Sequence, residues 1–196
     1  MNKTIRHPLM RLALALGIGL AASTASATPI TYTPLPDGVT VPGTVGVGTS
    51  FDPSTAAYFS FSATAGSLVT VDGDRTEGAL DMVFTILFGL FADTTDFGGS
   101  IGPEDTTAFI GFFDDDTAPA IPGPFGDPFV SFFAPLTGFY TVAVNSFGGT
   151  SGSPGADGVY SYTVKATGVE AVPEPATLSL FAAGLLGLAA MRRKVA

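Results

Sequence analysis

The sequence contains no cysteine and no tryptophan, and its only histidine is His7. A disulfide framework and thiol chemistry are therefore excluded. His7 lies in an N-terminal segment that we expect to be cleaved off, so the mature protein would lack histidine as well. Ser-His-Asp and Cys-His catalysis and the usual zinc sites are then ruled out. Carboxylates, hydroxyls and aromatic rings are the chemistry that remains.

Basic residues are scarce between the two ends of the chain. Of the eight Lys and Arg residues, three lie in the first eleven positions and three in the last five, which leaves Arg75 and Lys165. All 17 carboxylates lie between Asp37 and Glu174, so two positive and 17 negative groups give the middle a formal charge of −15. Such a body repels nucleic acid and anionic headgroups and suits divalent cations. We expect no nucleic-acid partner.

The N-terminus combines a basic start, an apolar stretch over residues 12–22 and the small residues Ala25-Ser26-Ala27. This order is typical of a secretory signal peptide, which predicts a signal over residues 1–27 and cleavage after Ala27, with Ala25 and Ala27 at the site. The apolar run is shorter than the about 20 residues that a stable membrane span needs, so an uncleaved anchor is the less favoured alternative. The expected partners are the secretion machinery and signal peptidase.

The C-terminus has a second three-part order. A linker over residues 169–175 contains Pro173-Glu174-Pro175, an apolar stretch covers residues 176–191, and a tail over residues 192–196 begins with Arg192-Arg193-Lys194. The prolines keep the apolar stretch separate from the body. As a transmembrane helix that stretch would span about 24 Å, less than the ~30 Å hydrocarbon core of a bilayer. The basic triplet places the body outside the cytoplasm.

These C-terminal residues resemble the PEP-CTERM sorting signal, over about the last 25 residues of the chain. The resemblance implies recognition by an exosortase, a membrane-embedded cysteine peptidase of Gram-negative bacteria that make exopolysaccharide. It also implies cleavage near Pro173-Glu174-Pro175, with Arg192, Arg193 and Lys194 as part of the signal. The body would then reach the cell envelope, the outer surface or the extracellular matrix, in association with exopolysaccharide and biofilm. A plain tail anchor is the alternative.

Between the two ends, the pattern of residues indicates strands. No stretch keeps helical periodicity for ten residues, and short apolar or alternating runs are separated by Gly, Pro, Asp and Ser. This predicts an all-β class, with one β-sandwich or jelly-roll-like domain over residues 51–168 between a signal helix and an apolar sorting helix. Residues 28–50 are expected to form an extended leader or an edge strand. The predicted strands are 58–63, 68–71, 82–91, 109–113, 129–133, 140–144 and 160–166.

The order of these segments resembles the bacterial pre-peptidase C-terminal domain, over about residues 50–167. The segments that carry the resemblance are 58–66, 68–72, Asp81 with the apolar run after it, Asp114-Asp115-Asp116, 132–142 and 160–164. The resemblance implies a compact β-sandwich that accompanies secreted enzymes or stands alone on exported proteins. Residues 92–107 and 119–128 depart from the pattern of that family.

Calcium is the candidate cofactor, because it takes six to eight oxygens from carboxylates and backbone carbonyls of flexible loops. Asp72, Asp74 and Asp81 lie around one loop, Asp114, Asp115 and Asp116 lie at another, and the resemblance implies that the two loops meet. These six residues are the predicted ligands. A solvated acidic turn is the alternative, since Asp favours turns and neither an EF-hand loop nor a nonapeptide repeat is present.

No residue set indicates catalysis, because no carboxylate pair lies in a recognised context. We therefore expect a non-catalytic, structural or adhesive envelope protein rather than an enzyme. The alternative is a calcium-dependent carbohydrate-binding module that stacks sugars on exposed aromatic rings. Phe97, Phe125 and Phe147, in loops rich in Gly and Pro, are the candidates for that role.

Overall fold

The computed structural model describes residues 27–46, 50–77, 79–102, 108–119, 121, 125–147 and 159–170. The expected signal segment up to residue 26, the Pro-Glu-Pro linker from residue 171, the sorting helix and the basic tail lie outside the described residues. Within the described ranges, no helix is both long enough and apolar enough to cross a membrane.

Nine strands in the described residues form two sheets, which confirms the predicted β-sandwich. The first sheet has the order β1-β3-β8-β5-β6 and the second has the order β2-β9-β4-β7. Parallel pairing occurs between β1 and β3, and the other named pairs are antiparallel. The strands are β1 (Tyr32–Pro34), β2 (Thr40–Gly46), β3 (Ala57–Ala63), β4 (Leu68–Arg75), β5 (Met82–Phe88), β6 (Phe109–Asp114), β7 (Phe129–Phe133), β8 (Gly138–Ser146) and β9 (Val159–Thr167).

Side-chain alternation produces the core between the two sheets. On β4, Val69 and Val71 point inwards while Thr70 and Asp72 face outwards, because successive side chains of a strand lie on opposite faces. The strand β5 is buried at six consecutive positions because both of its faces are covered. Its outer face packs, through Leu87, in a second apolar cluster with residues of the segment that follows it.

That following segment differs from the prediction. The expected strand 82–91 ends at Phe88, because Gly89 takes a φ of +103° and turns the chain. A short 3₁₀ helix, Thr94–Phe97, comes next and is held by a capping box between Asp93 and Asp96. It places Phe97 on the outer face of the first sheet, stacked on Tyr58 with ring centroids 6.0 Å apart.

Residues 28–50 contain two edge strands, one in each sheet. The strand β1 lies beside β3, and β2 lies beside β9. Between them Leu35 is fully buried in the main core, and Val45 of β2 is buried as well. The sandwich therefore begins before residue 51, which is where the sequence placed its start.

The strands run between two distinct ends of the sandwich. At one end Ala63 of β3 lies opposite Gly138 of β8, and the turn after β3 leads into β4. At the other end Met82 of β5 lies opposite Ser146 of β8, and β6 ends at Asp114. We call the first the apolar tip, defined by Val39, Leu68, Leu90, Phe133, Leu136 and Phe139. We call the second the acidic end, defined by Asp81, Asp114, Asp115, Asp116 and Asp127.

Candidate cation site

Three carboxylates meet at the acidic end. Asp81 immediately precedes β5, and Asp114 ends β6, which pairs with β5 so that Val83 lies opposite Asp114. Asp115 is the next residue of the chain. One carboxylate oxygen from each of the three lies within 4.8 Å of the other two. The antiparallel register of two neighbouring strands therefore brings together residues that are more than thirty positions apart.

Two of these carboxylates each have one buried oxygen without a hydrogen-bond partner. Asp81 is only 8% exposed, and its Oδ1 accepts no hydrogen bond. The Oδ1 of Asp114 is also buried and accepts none. An unsatisfied buried polar atom costs about 1–3 kcal/mol, and more when it is charged. The geometry therefore leaves two adjacent acceptors for which the described residues supply no donor.

Burial and mutual repulsion make these carboxyl groups weaker acids. Burial, followed by the charges of Asp115, Asp81 and Asp116, raises the pKa of Asp114 to about 6. The pKa of Asp81 is raised by burial and by Asp115, and the charge of Arg75 opposes that rise. Without a cation, Asp114 and Asp81 therefore hold protons at a pH where ordinary carboxyl groups are ionised.

Asp115 is held at the cluster by its own backbone. Its φ of +53° is in the left-handed region, which Asp adopts more readily than most residues. Its Oδ1 accepts a hydrogen bond from the backbone N–H of Gly126. A Cβ at Gly126 would lie 2.6 Å from the Cα of Asp115, so only glycine permits this approach. The loop before β7 thus packs directly on the acidic turn.

The other three predicted ligands are not members of this three-carboxylate cluster. Asp116 Oδ2 accepts from the backbone N–H of Asp114 at 3.0 Å and from that of Phe129 at 3.4 Å, so it closes the turn. Asp72 and Asp74 belong to β4, because that strand continues to Arg75, and they lie on the outer face of the second sheet. The expected loop at Asp72 and Asp74 is therefore a strand, and these two residues do not join the cluster.

A buried arginine, which sequence reasoning missed, lies behind the cluster. Arg75 is fully buried, and its guanidinium donates to the carbonyl of Leu80 at 3.1 Å and to that of Phe125. Its Nε lies 3.6 Å from Oδ1 of Asp127, which is 1% exposed. Arg75 thus joins the residue before Asp81 to the loop that packs on Asp115. The signal available in the sequence was the scarcity of basic residues, since Arg75 is one of only two in the body.

The three aromatic candidates for sugar stacking differ in exposure. Phe97 has no exposure and belongs to the second apolar cluster, so its predicted exposure was wrong. Phe125 is half-buried, with its ring 6.0 Å from the Arg75 guanidinium carbon. Phe147 is exposed, as expected. The most exposed aromatic side chain in the described residues is Phe133, the last residue of β7.

A cleft of about 420 Å³ lies elsewhere, between β2 and the edge formed by β1 and β3. Its lining is rich in threonine hydroxyls, with Pro42, Gly43, Tyr58 and Tyr162 among the other residues. The hydroxyl of Tyr162 is buried without a hydrogen-bond partner. The residues that line the cleft include no charged side chain, so its chemistry suits a neutral, hydroxyl-rich ligand.

Fold and site together define a β-sandwich body with an acidic cluster at one end. The C-terminal residues 171–194 match the PEP-CTERM protein-sorting motif, which confirms the resemblance noted from the sequence. The motif marks an exported protein that is sorted by an exosortase to the cell envelope or the extracellular space. It covers only this terminal part of the chain.

Solved structures with a similar fold include three bacterial proteins. The pre-peptidase C-terminal domain of collagenase from Bacillus anthracis is 11% identical, with a TM-score of 0.42. CorA, a surface-associated copper-binding protein of Methylomicrobium album BG8, is 14% identical, with a TM-score of 0.49. PliG of Aeromonas hydrophila, a periplasmic inhibitor of g-type lysozyme, is 18% identical, with a TM-score of 0.40. Each alignment covers 71% of this chain and 98% of the other. No curated protein matches the chain.

Proposed function

We propose that the chain is a non-catalytic envelope protein of a Gram-negative bacterium whose body binds calcium at Asp81, Asp114 and Asp115. After sorting, it stays in the extracellular matrix with exopolysaccharide. The observation that carries the calcium proposal is that the neighbouring carboxylates of Asp81 and Asp114 each have a buried oxygen that accepts no hydrogen bond. A bound cation would partner both oxygens and offset their repulsion.

The donor set favours calcium over other cations. The cluster offers oxygen only, and the chain has no cysteine and no histidine beyond His7, whereas zinc and copper prefer nitrogen and sulfur ligands. Calcium accepts irregular sets of six to eight oxygens, so backbone carbonyls and water can complete its shell. Magnesium demands nearly octahedral geometry and gives up its bound water reluctantly, so an irregular set of carboxylates suits it less well.

Calcium would also act on the stability of the body. The middle of the chain carries a formal charge of −15, and a dense negative charge opposes compaction. A ligand that binds only the folded state stabilises it by about 2.7 kcal/mol at one hundred times its dissociation constant. Export to a medium that contains calcium would thus complete the acidic end of the domain.

The test is the thermal unfolding of the full chain with calcium and with a chelator. Calcium should raise Tm by about 5–10 °C for the wild type. The double variant D81N/D114N should lose this response. The matched control is D72N/D74N, which makes the same change of charge on the outer face of β4. A response that is absent from the wild type, or that both variants lose equally, would contradict the proposal.

The sorting signal has its own test in the cell. Replacing Glu174 or deleting residues 178–196 should leave the body unprocessed or change where it accumulates. Glu170→Gln, just outside the matched residues 171–194, is the control and should be sorted normally. If both altered chains reached the wild-type location at the wild-type mass, the proposal that an exosortase sorts the chain would be wrong.

Carbohydrate binding is the second candidate function, and the uncharged cleft beside β2 is the observation that favours it. Removing hydroxyls with Thr31→Val and Thr44→Val should weaken the binding of exopolysaccharide in a calorimetric titration. Thr70→Val, on the outer face of β4, is the matched control. The absence of heat with the wild-type chain would exclude this candidate and leave the calcium proposal standing.

A further inference from the structure

The exposed apolar side chains are gathered at one end of the sandwich. Of the seven large apolar side chains that are well exposed in the described residues, six form the apolar tip and one, Phe147, lies at the opposite end. Phe133 is 70% exposed and Leu68 is 53% exposed. Single exposed apolar residues are normal on protein surfaces, but their collection at one end marks an interaction surface.

The backbone holds these side chains in place. Leu68 lies opposite Phe133 across β4 and β7, so the two side chains share the outer face of the second sheet. In the connection to β8, the backbone N–H of Leu136 donates to the Tyr140 hydroxyl, which in turn donates to the Leu136 carbonyl at 2.6 Å. Phe139 lies opposite Ser62 on the outer face of the first sheet.

The other two members lie at the same end. The backbone N–H of Gly89, the residue before Leu90, donates to the carbonyl of Phe139 at 2.7 Å. Val39 precedes β2, whose first residue lies opposite Lys165 near the end of β9. The apolar tip therefore combines side chains from both sheets and from the turns between them.

Carboxylates at this end are engaged by the protein itself. Asp37 Oδ1 accepts from the backbone N–H groups of Gly168 and Val169 at 2.8 Å and 3.3 Å. The Glu170 carboxylate accepts from the Thr64 hydroxyl. The acidic cluster lies at the far end of the strands, about 27 Å away along the nine residues of β8. The molecule thus has one apolar end and one strongly negative end.

The chain leaves the body at the apolar tip. Glu170, the last described residue, donates its backbone N–H to the carbonyl of Ser62 at 2.8 Å, which fixes the exit beside the end of β3. The apolar stretch begins at residue 176, and six residues reach at most about 20 Å. Whatever surface receives that stretch is therefore held within about 20 Å of the tip.

We propose that the apolar tip lies on the surface of the lipid bilayer that holds the sorting segment, before the body is released. This inference rests on the proposed sorting function and adds an orientation to it. The short tether gives the tip a high effective concentration at the membrane. With the tip down, the acidic end points away from the headgroups, which is also the orientation that electrostatic repulsion favours.

A second copy of the chain is a less suitable occupant of the tip. Two copies whose residues 28–170 each carry a formal charge of −14 repel one another, whereas the membrane is joined to the tip by the same chain. The orientation has a consequence for processing. Pro173-Glu174-Pro175 follows Glu170 by three residues, so a body seated on the bilayer holds this motif at the level where a membrane-embedded peptidase works.

The absence of tryptophan permits a direct test. The exposed residues Phe133 and Phe147 lie at opposite ends of the body, so Phe133→Trp and Phe147→Trp form a matched pair of reporters. Each full-length variant is reconstituted into vesicles of phosphatidylethanolamine with a minority of phosphatidylglycerol, with bromine on the upper acyl chain as the quencher. Flotation first establishes that the chain is bound to the vesicles. Leu136→Trp is a second tip reporter, should Phe133→Trp not fold.

The expected result is that the tip reporter is quenched at least about threefold more than the Phe147 reporter, with a blue-shifted emission. Vesicle-bound chains with equal quenching, or with none, would overturn the proposal but not the membrane insertion of the tail. If the chain failed to float with the vesicles, both the tip orientation and the membrane insertion of the tail would be overturned. A blue shift without quenching by lipid would also overturn it. Such a shift would indicate a second copy if it depended on concentration, and the chain's own tail if deletion of residues 171–196 abolished it.

Discussion

The acidic end and the apolar tip terminate the same strands, yet they are built in opposite ways. At the acidic end Asp81 and Asp127 are buried, and Asp81 and Asp114 each keep one buried oxygen without a hydrogen-bond partner. At the tip apolar side chains are exposed, while the carboxylates of Asp37 and Glu170 accept hydrogen bonds. An isolated domain optimised only for stability would do neither. Each end therefore departs from the usual burial of apolar groups and exposure of charged ones. A bound cation would stabilise the acidic end, and an apolar surface would cover the tip.

The difference extends to stability. Asp81, Asp127 and the Arg75 that pairs with Asp127 are buried at the acidic end, so changes to them should alter the free energy of unfolding. Those at the tip are exposed, so their removal should alter binding while leaving folding nearly unchanged. The comparison fails if the tip side chains prove to be as important for folding as the buried groups at the acidic end.

The largest effect is expected from Arg75→Met. The substitution removes the donors to Leu80 and Phe125 and takes away the guanidinium that faces the buried Asp127 carboxylate. Breaking a buried pair from one side costs about 3–5 kcal/mol, which urea denaturation of the metal-free chain would measure. Lys165→Met, at the other basic residue of the body, is exposed and should change stability by less than about 0.5 kcal/mol. Equal losses in the two variants would show that net charge, and not the buried pair, governs the acidic end.

The next largest loss of stability is expected from the backbone near the tip rather than from the side chains of the tip. Gly168 has a φ of +75°, and a Cβ there would lie 2.0 Å from the Leu68 carbonyl oxygen, so Gly168→Ala should destabilise the fold by about 2–4 kcal/mol. Gly66, with a φ of +84°, has open space around it, so Gly66→Ala should cost only about 1 kcal/mol of backbone strain. Thermal unfolding of the two variants measures the difference, and similar losses would contradict the close approach at Gly168.

A smaller effect, confined to the acidic end, is expected from pH. Asp114 has a pKa of about 6 in the folded protein against an ordinary value of 3.8, so the native state binds more protons than the unfolded state between these values. The stability of the metal-free chain should therefore fall as pH rises from about 4 to 6, by about 1 kcal/mol, because solvent screens the partly exposed Asp114. Asp81 contributes in the same direction.

Asp114→Asn is the variant that checks this assignment, because it removes the titrating group and should flatten the pH dependence. Asp72→Asn is a demanding control, since burial and the charge of Asp74 also raise the pKa of Asp72. In the Asp72→Asn variant the fall of stability with pH should persist, because Asp114 remains. If the stability of the chelated wild type rose with pH instead, the raised pKa of Asp114 would not govern the stability of the acidic end.

Much of the fold could be predicted from alternation alone. The period of a strand is two residues, so Phe59, Phe61 and Ala63, or Tyr160 and Tyr162, identify both a strand and its inner face. The strands β1 and β2 gave no such signal, because β1 has three residues and β2 contains Pro42 and Gly43 at a sheet edge. Edge pairing is decided by the neighbouring strand rather than by the residues of the segment itself.

The errors at the site have the same origin. Asp72-Gly73-Asp74 has the composition of a turn, yet it lies within β4, because Gly73 provides space for the Phe84 ring, whose Cζ would be 2.3 Å from an added Cβ. That contact joins the two sheets and cannot be read from local sequence. The meeting of Asp81 with Asp114 and Asp115 was part of the prediction. The burial of Arg75 and Phe97 depends on loops that cross over the sheets, and local composition does not specify such crossings.

The smallest effect on folding is expected from the tip itself. Leu68→Ser, Phe133→Ser and Leu136→Ser each replace an exposed side chain, so each should change the free energy of unfolding by less than about 0.5 kcal/mol. Leu87→Ser, at a fully buried position in the same sandwich, is the contrast and should cost about 3 kcal/mol or more. If the triple tip variant folds like the wild type yet is processed more slowly in cells, the tip acts before release and not in the core. If it unfolds like Leu87→Ser, the tip belongs to the core, and the two ends differ in composition but not in role.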